Sequence, residues 1–292
     1  MTVSFIVGYQ HQGNTLTAFL RQSGVSLALI KKIKFLPDGI LVNGVKQNTD
    51  YKVQQGDNIV VNVADTQEDA QKSTVIPQDI PMNILYEDPC CMVVDKPYYM
   101  PVHPSFNHPT DTLANAFCGH WQKKGEGRIF RAINRLDKNT SGLVLLALDP
   151  FSAEKLKGGV EKTYTAIAQG RVQPLEGIIE LPIARQQESI ITRCVHPDGQ
   201  YAKTEYKVIK QNDKFSFMDI KLHTGRTHQI RVHFSHLGHP LAGDDLYGGS
   251  HEYIKRHALH CRKLEFISPY NGKKITVNSS IPKDMEDIVT YL

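Results

Sequence analysis

Residues 131–147 read Arg131-Ala-Ile-Asn-Arg-Leu-Asp-Lys-Asn-Thr-Ser-Gly-Leu-Val-Leu-Leu-Ala, a polar loop that sets Asp137 just ahead of an apolar, buried-looking strand. Loops anchored by rigid strands often carry functional groups, because the scaffold fixes a side chain that the surface still exposes. Taken alone, an Asp among Asn, Thr, Ser and Gly is more simply explained by turn chemistry. Asp137, Asn139, Ser141 and Gly142 also match the opening of a calcium loop, with oxygen ligands at alternate positions. Such a loop needs a bidentate Glu at its twelfth position. Leu148 stands there and the chain continues as strand, so calcium is rejected.

Outward from this loop, short strand-like runs dominate: residues 83–86, 92–95, 143–148, 164–168, 201–210 and 215–222. Helical patterns are fewer, at 112–123, 227–237 and from Lys283 onward. That mix predicts an α+β domain on a largely antiparallel sheet rather than regular βαβ alternation. Nearer the amino terminus, residues 15–22 and 26–35 have helix-like apolar spacing, interrupted at Gly24. A strand at 40–42, the hairpin signal Asn43-Gly44 and a strand at 58–63 after Gly56-Asp57 follow. From Ala64 to Gln78 the composition turns polar without apolar periodicity, as a solvated linker does. The expected division is a small α/β unit at 1–65, a linker at 66–80 and a larger unit at 81–292.

Bulk properties limit the function classes. The 292 residues carry a formal charge of +4, which permits a polyanionic partner without requiring one. No run approaches the ~20 apolar residues needed to span a bilayer. Residues 1–10 lack the basic start, apolar core and small-residue cleavage site of a secretion signal, so a cytoplasmic location is expected. The five cysteines are scattered and form no C-x-x-C pair, which suits reduced thiols rather than disulfides or zinc.

A second motif-rich stretch, Leu222-His-Thr-Gly-Arg-Thr-His-Gln-Ile-Arg-Val-His-Phe-Ser-His-Leu-Gly-His, reads as helical from Thr227. Ile230, Phe234 and Leu237 fall on one face, with Gly238 as terminator. His228 and Arg231, three apart, share another face. Arg226 lies near the helix start, where backbone N–H groups also favour a phosphate. His223, His228, His233, His236 and His239 invite a metal, but no H-E-x-x-H pattern or cysteine pair accompanies them; surface or capping roles account for them, and no metal is expected. Residues 158–163 lack the spacing of a phosphate loop, and neither G-x-S-x-G nor G-x-G-x-x-G occurs in a fitting context, so no nucleotide cofactor is expected. In Lys162-Thr-Tyr-Thr-Ala-Ile-Ala, alternation sets Tyr164 on one strand face with Ala166 and Ala168, where a cross-strand aromatic is the plainest reading.

Taken together, these residues resemble the RluA/RluD-like family of RNA pseudouridine synthases. Asp95-Lys-Pro with Val102-His-Pro, Arg135-Leu-Asp-Lys-Asn-Thr-Ser-Gly-Leu, Lys162-Thr-Tyr-Thr-Ala, Thr224-Gly-Arg-Thr-His-Gln-Ile-Arg-Val-His and Leu237-Gly-His-Pro occur in the family's order across residues 81–270. The resemblance implies a mainly antiparallel mixed-sheet catalytic domain and an isomerase that converts uridines of ribosomal or transfer RNA into pseudouridine without a cofactor. It implies Asp137 as the catalytic aspartate, Tyr164 beside the target base, Arg231 as partner of the aspartate, and Arg135 filling the space that the base vacates. Arg226 and His228 are expected at the RNA. Asn134 stands where the family often has His, which implies a different local RNA contact. Residues 13–64 resemble, more weakly, a small RNA-binding domain named after a small-subunit ribosomal protein, through Val42-Asn-Gly and Gln55-Gly-Asp-Asn-Ile-Val.

The reaction must break the bond from N1 to C1′, rotate the uracil and join C5 to C1′ without releasing the base. A flipped nucleotide in a closed pocket meets that need, since effective molarity then replaces diffusion. Asp137 starts either by covalent attack or by removing a sugar proton, and the sequence leaves both open. Arg231 would keep the carboxylate ionised, and Tyr164 would stack on the base and assist removal of the C5 proton. The expected partner is structured RNA, bound by a monomer. The alternative is a non-catalytic RNA-binding or ribosome-assembly factor, suggested by the amino-terminal module.

Overall fold

The computed structural model describes residues 1–187, 189 and 191–290, so the last two positions of the 81–292 unit lie outside the described residues. The amino-terminal part runs β1 (Thr2–Ile6), α1 (Leu16–Gln22), α2 (Leu27–Ile33), β2 (Ile40–Val42), β3 (Val45–Lys46) and β4 (Asn58–Asn62). Thr15 and Ser26 cap the two helices, each accepting a hydrogen bond from the backbone N–H three residues on. Asn43 and Gly44 both take positive φ, as the tight turn between β2 and β3 requires. The four strands form a sheet in the order β1-β4-β2-β3. Leu16, Phe19, Leu20, Ile30, Ile33, Ile59 and Val61 build its core. The edge strand β1, which the sequence reading passed over, pairs antiparallel with β4.

The segment expected as solvated linker is partly ordered. It contains α3 (Gln67–Gln71), begun by a capping box between Thr66 and Asp69. Asn115 Nδ2 donates to Ile76 O at 2.7 Å, which ties this segment to the next helix.

The remainder comprises β5 (Asn83–Glu87), β6 (Cys91–Lys96), α4 (Leu113–Lys123), β7 (Ser141–Ala147), α5 (Pro150–Leu156), β8 (Glu161–Gln169), β9 (Glu176–Glu180), β10 (Ile183–Arg185), β11 (Arg193–Val195), β12 (Lys203–Gln211), β13 (Phe215–Leu222), α6 (Gln229–His236), β14 (Leu259–Ile267), β15 (Lys274–Asn278) and α7 (Lys283–Val289). One large sheet runs β5-β6-β7-β14-β8-β13-β12-β9, with β15 also on β14. Its pairings are antiparallel except the short parallel match of β14 with β7 at Ser141 and Gly142. The α+β architecture with a mainly antiparallel mixed sheet is therefore as expected.

Alternation along β8 separates two cores. Tyr164, Ala166 and Ala168 join the main core, which includes Phe117 of α4 and Ile230 and Phe234 of α6. Ile167 faces the other way, onto Met285 and Ile288 of α7. Phe151 of α5 crosses into the amino-terminal core, where its ring meets Phe5 edge-on at 6.1 Å. Nearby, Arg131 donates to both carboxylate oxygens of the buried Asp65, at 2.7 and 2.6 Å. The amino-terminal unit is thus bonded to the first residue of the Asp137 stretch.

Candidate active site

Asp137 sits at the tip of a hairpin. Residues 131–133 pair back onto β7, with Ile133 N donating to Leu145 O and Ala147 N to Arg131 O. Asn134 closes the hairpin: its Nδ2 donates to Leu143 O at 3.0 Å and its Oδ1 accepts from Leu145 N at 2.8 Å. Both polar atoms of its buried side chain bond β7 backbone, so at this position Asn134 serves the hairpin. At Gly142, φ is +110 and an added Cβ would collide with the carbonyl of Cys261 on β14, so only glycine lets the two strands meet there.

Two buried cations hold the loop from beneath. Lys96 Nζ donates to Pro97 O, Met100 O and Lys138 O at 2.9, 2.8 and 3.3 Å. Burial pushes Lys96 down to about 7. Three carbonyl acceptors, however, match the three N–H groups of an ammonium and exceed the two of a neutral amine, so Lys96 is read as protonated. Arg256 Nη1 donates to Asn139 O at 3.3 Å, while its Nε and Nη2 engage Asp284 at 2.7 and 2.9 Å. Thr140 Oγ1 and His257 Nε2 lie 2.8 Å apart, and burial drops His257 to about 3, so the ring is neutral.

From the other side, α6 brings Arg231 to Asp137. Arg231 Nη1 donates to Asp137 Oδ2 at 3.1 Å, and its Nε and Nη2 both donate to Asp244 at 2.8 Å. The Asp244 side chain is 0% exposed, whereas that of Asp137 is 28% exposed. Burial opposes the charge on Asp137, but the surrounding cationic groups outweigh it and hold the carboxyl below the usual range. His228 and then Arg231 are the main opposing charges, and of the two Arg231 is the one that stays charged at every pH.

Helix α6 starts two residues later than expected: His228 is its cap, in a left-handed conformation with φ 57. That turn aims His228 Nε2 at Asp137 Oδ2, 3.8 Å away. The Tyr247 hydroxyl accepts from Arg193 N–H at 2.9 Å and lies 2.8 Å from His228 Nδ1. The Tyr247 hydroxyl is free to donate to Nδ1, an arrangement that would set the His228 proton on Nε2, facing the carboxylate. The Tyr247 ring also lies 5.0 Å from the Arg231 guanidinium carbon. Gln229 pins the helix start to β12: its Oε1 accepts from Thr224 Oγ1 and Arg226 N, and its Nε2 donates to Lys203 O and Thr204 Oγ1.

These groups surround a cavity of about 310 Å³, lined by Arg135, Asp137, Lys162, Tyr164, Arg226, His228, Arg231 and Leu259 among others. All six residues singled out from the sequence line it. Tyr164 is buried between Cys261 of β14 and Ile220 of β13. Burial, then the neighbouring Cys261 and Asp137, raises its hydroxyl well above the usual tyrosine range. Arg135 is exposed, and Arg226 donates to Tyr201 O and Gln200 Oε1, both at 3.0 Å.

Two further readings change. His233 is fully buried rather than superficial, its ring nitrogens 2.9 Å from Thr204 Oγ1 and 3.0 Å from Leu181 O. Leu237 leaves the apolar face and is 43% exposed. Among the described residues, no group of three or more His, Cys, Asp or Glu side chains is placed to hold a metal. The sequence reading assigned no role to Lys96, Lys162, Asp244, Tyr247 or His257. Lys96 and Lys162 lay inside quoted motifs, and Asp244 and Tyr247 in the run Gly243-Asp-Asp-Leu-Tyr-Gly, but only contact with Arg231 and His228 reveals what the latter two do.

The comparisons with known proteins agree. Residues 91–236 match the model of a family described as RNA pseudouridylate synthase. The uncharacterized RNA pseudouridine synthase YjbO of Bacillus subtilis is 37% identical over 280 residues, covering 94% of this chain and 98% of that protein. Ribosomal large subunit pseudouridine synthase D of Yersinia pestis is 32% identical over 276 residues, 88% of this chain and 84% of its own length. A solved human structure, RNA Pseudouridylate Synthase Domain Containing 1, shares the fold with a TM-score of 0.56 at 24% identity, over 75% of this chain and 95% of that one. A chain matched over most of its length, with the shared segment carrying both halves of the Asp137–Arg231 pair, belongs to the RNA pseudouridylate synthase family and is an RNA pseudouridine synthase, an isomerase.

Proposed function

We propose that the protein isomerises specific uridines of ribosomal RNA, with Asp137 as the group that opens the reaction. The observation that carries this is the Asp137–Arg231 ion pair at 3.1 Å in a cavity also lined by Tyr164. The relative named ribosomal large subunit pseudouridine synthase D supports ribosomal RNA as the substrate class. Covalent attack at C1′ and removal of a sugar proton both need an ionised carboxylate, which Arg231 maintains. The N1–C1′ bond breaks with its electron pair on the uracil, and the ring turns within the cavity until C5 faces C1′. Once C5–C1′ has formed, the C5 proton leaves and N1 gains one. No oxidant, reductant or nucleotide is consumed by the isomerisation, so the chemistry calls for no cofactor, and the protein is taken to act as a monomer.

Tyr164 covers one face of the base. Burial raises its hydroxyl well above the usual tyrosine range, so stacking is its main part, with assistance in removing the C5 proton kept as the secondary one. Arg135, exposed at the cavity mouth, occupies the space left by the flipped base, while Arg226 and His228 contact the RNA. Residues 1–65 act as a small RNA-binding domain, joined through 66–80 to the catalytic domain at 81–292. Among the described residues no helix is long and apolar enough to cross a membrane, and a ribosomal substrate fits action in the cytoplasm. The test is pseudouridine mapping on ribosomal RNA from cells with the gene, without it, and with Asp137→Asn. A uridine modified only with the wild-type gene is expected; equal modification by Asp137→Asn would overturn the assignment.

A further inference from the structure

Arg256 is among the largest fully buried side chains, 1% exposed, and it lies between the Asp137 loop and α7. The Nε–Nη2 edge of its guanidinium donates to both oxygens of Asp284, in the first turn of α7, at 2.7 and 2.9 Å. A carboxylate bound along one edge fixes the plane of a guanidinium and so aims the opposite corner. That corner, Nη1, meets three backbone carbonyls: Asn139 at 3.3 Å, His257 at 3.4 Å and Leu259 at 3.2 Å. The Tyr98 ring covers the group, its centre 4.8 Å from the guanidinium carbon.

These carbonyls belong to two chain segments that both line the uridine cavity. Asn139 follows Asp137 by two residues, in the turn closed by Thr140 N donating to Asp137 O at 3.1 Å. Leu259 lines the cavity from β14, the strand whose Cys261 pairs with Tyr164. One corner of one guanidinium therefore sets how far the Asp137 loop stands from Leu259. The seating of α7 does not need this pair: Met285 and Ile288 pack it onto Ile167 and Phe215, while the Asp284 side chain is 30% exposed. A buried ion pair is often no more stabilising than apolar packing of similar volume, so the consequence of this one lies in what Nη1 holds.

We propose that Asp284, outside the cavity, is a positioning residue for the isomerisation: acting through Arg256, it sets the spacing between the Asp137 loop and Leu259 and makes α7 part of the catalytic apparatus. The inference rests on the reading of Asp137 as the group that opens the reaction. Without Asp284 the guanidinium loses the partner that orients it, and the loop carbonyl loses a fixed donor. The carboxylate must meet the sugar at contact distance, and a misplacement of about 1 Å can lower a rate by up to about 10². RNA contacts elsewhere are untouched, so the loss falls on kcat and not on KM.

The experiment uses the full-length protein and a large-subunit ribosomal RNA transcribed in vitro with tritium at uracil C5, the position whose hydrogen is lost on isomerisation. Initial rates give kcat and KM, and hydrogen exchange read by mass spectrometry reports the mobility of residues 138–142, all well below the melting temperature of every variant. Asp284→Ala is expected to lower kcat about tenfold with KM within about twofold, and to speed exchange at residues 138–142. Asp284→Glu, which restores a carboxylate, should recover most of the kcat. Asp287→Ala removes the same charge from the surface of the same helix, where it pairs with Lys283, and should change neither quantity. Ile288→Ala loosens the packing of α7 without touching Arg256; it should lower the melting temperature yet leave kcat and loop exchange near wild type. Unchanged kcat in Asp284→Ala, a loss carried by KM, unchanged exchange at residues 138–142, or an equal kcat loss in Ile288→Ala would each overturn the proposal. If the wild-type protein releases no tritium, the assignment to that RNA fails while loop exchange still decides the role of Asp284; release that survives Asp137→Asn would refute the reading of Asp137 separately.

Discussion

Arg231 is a permanent cation bonded to two carboxylates, and replacing it separates what it does for the fold from what it does for the reaction. Arg231→Met leaves Asp244, 0% exposed, without the guanidinium that met both its oxygens at 2.8 Å, and leaves Asp137 without its donor at 3.1 Å. Removing one member of a buried pair costs about 3–5 kcal/mol. Against a total stability of roughly 5–15 kcal/mol, that is a large fraction, and the melting temperature should fall by roughly 10 °C. Adding Asp244→Leu removes the stranded charge. Exchanging a whole buried pair for apolar groups is often near neutral, so the double variant should regain most of the lost melting temperature. Activity should not return, since Asp137 still lacks its donor; loss of a preorganised donor of this kind lowers kcat by about 10²–10³. Circular dichroism melting and tritium release from a labelled transcript read the two effects. A double variant that recovers both stability and turnover would refute a direct role of Arg231 at Asp137. One that recovers neither would refute the account of Asp244.

Asp137→Asn should remove turnover while leaving the melting temperature within a few degrees, because the amide keeps the size of the side chain and part of the Arg231 contact; residual activity near wild type would contradict the mechanism. Tyr247→Phe keeps the ring beside Arg231 but deletes the hydroxyl joining Arg193 N–H to His228, leaving partly buried polar groups unpaired at a cost of about 1–3 kcal/mol. The expected result is a kcat reduced about tenfold with binding retained, and an unchanged kcat would detach Tyr247 from His228. The depressed Asp137 carboxyl means that the pairing is fully present above its ordinary value of 3.8 and is lost only as pH falls through the lower native value. The pH–rate profile should therefore show no loss from Asp137 between pH 7 and about 5, and Arg231→Met should move the acid limb upward; a wild-type limb in that window that Arg231→Met leaves in place would count against the pair. Gly142→Ala forces a side chain into φ +110 against the Cys261 carbonyl and should cost about 3 kcal/mol or more, read by denaturant unfolding; a wild-type midpoint would show that β7 and β14 tolerate a Cβ there.

The legible parts of the fold were those with local signals. The apolar spacing at 15–22 and 26–35, Asn43-Gly44 as a turn and the apolar run after Asp137 each act within a few residues, so they mark α1, α2, the β2–β3 hairpin and β7. Helix α5 carried an equally local signal, Asp149 capping with Pro150 in the first turn, that the sequence reading passed over. Strand β14 is different. Its pairing shifts register between Cys261 and Lys263, and it serves β8 on one side and β7 then β15 on the other, so its burial follows three partners rather than a period of two.

By itself, the sequence determined the family and the α+β class, and it singled out Asp137, Tyr164, Arg231, Arg135, Arg226 and His228, which line one cavity, because motif order and short-range periodicity are written along the chain. Only the tertiary structure decided that Asp244 shares Arg231, that the Tyr247 hydroxyl meets His228 Nδ1, and that Lys96 and Arg256 hold the carbonyls beside Asp137. Those effects depend on charges brought together from up to 117 residues apart, as Asn139 and Arg256 are, and on burial that makes an unpaired group costly. A one-dimensional pattern records neither the distance nor the desolvation.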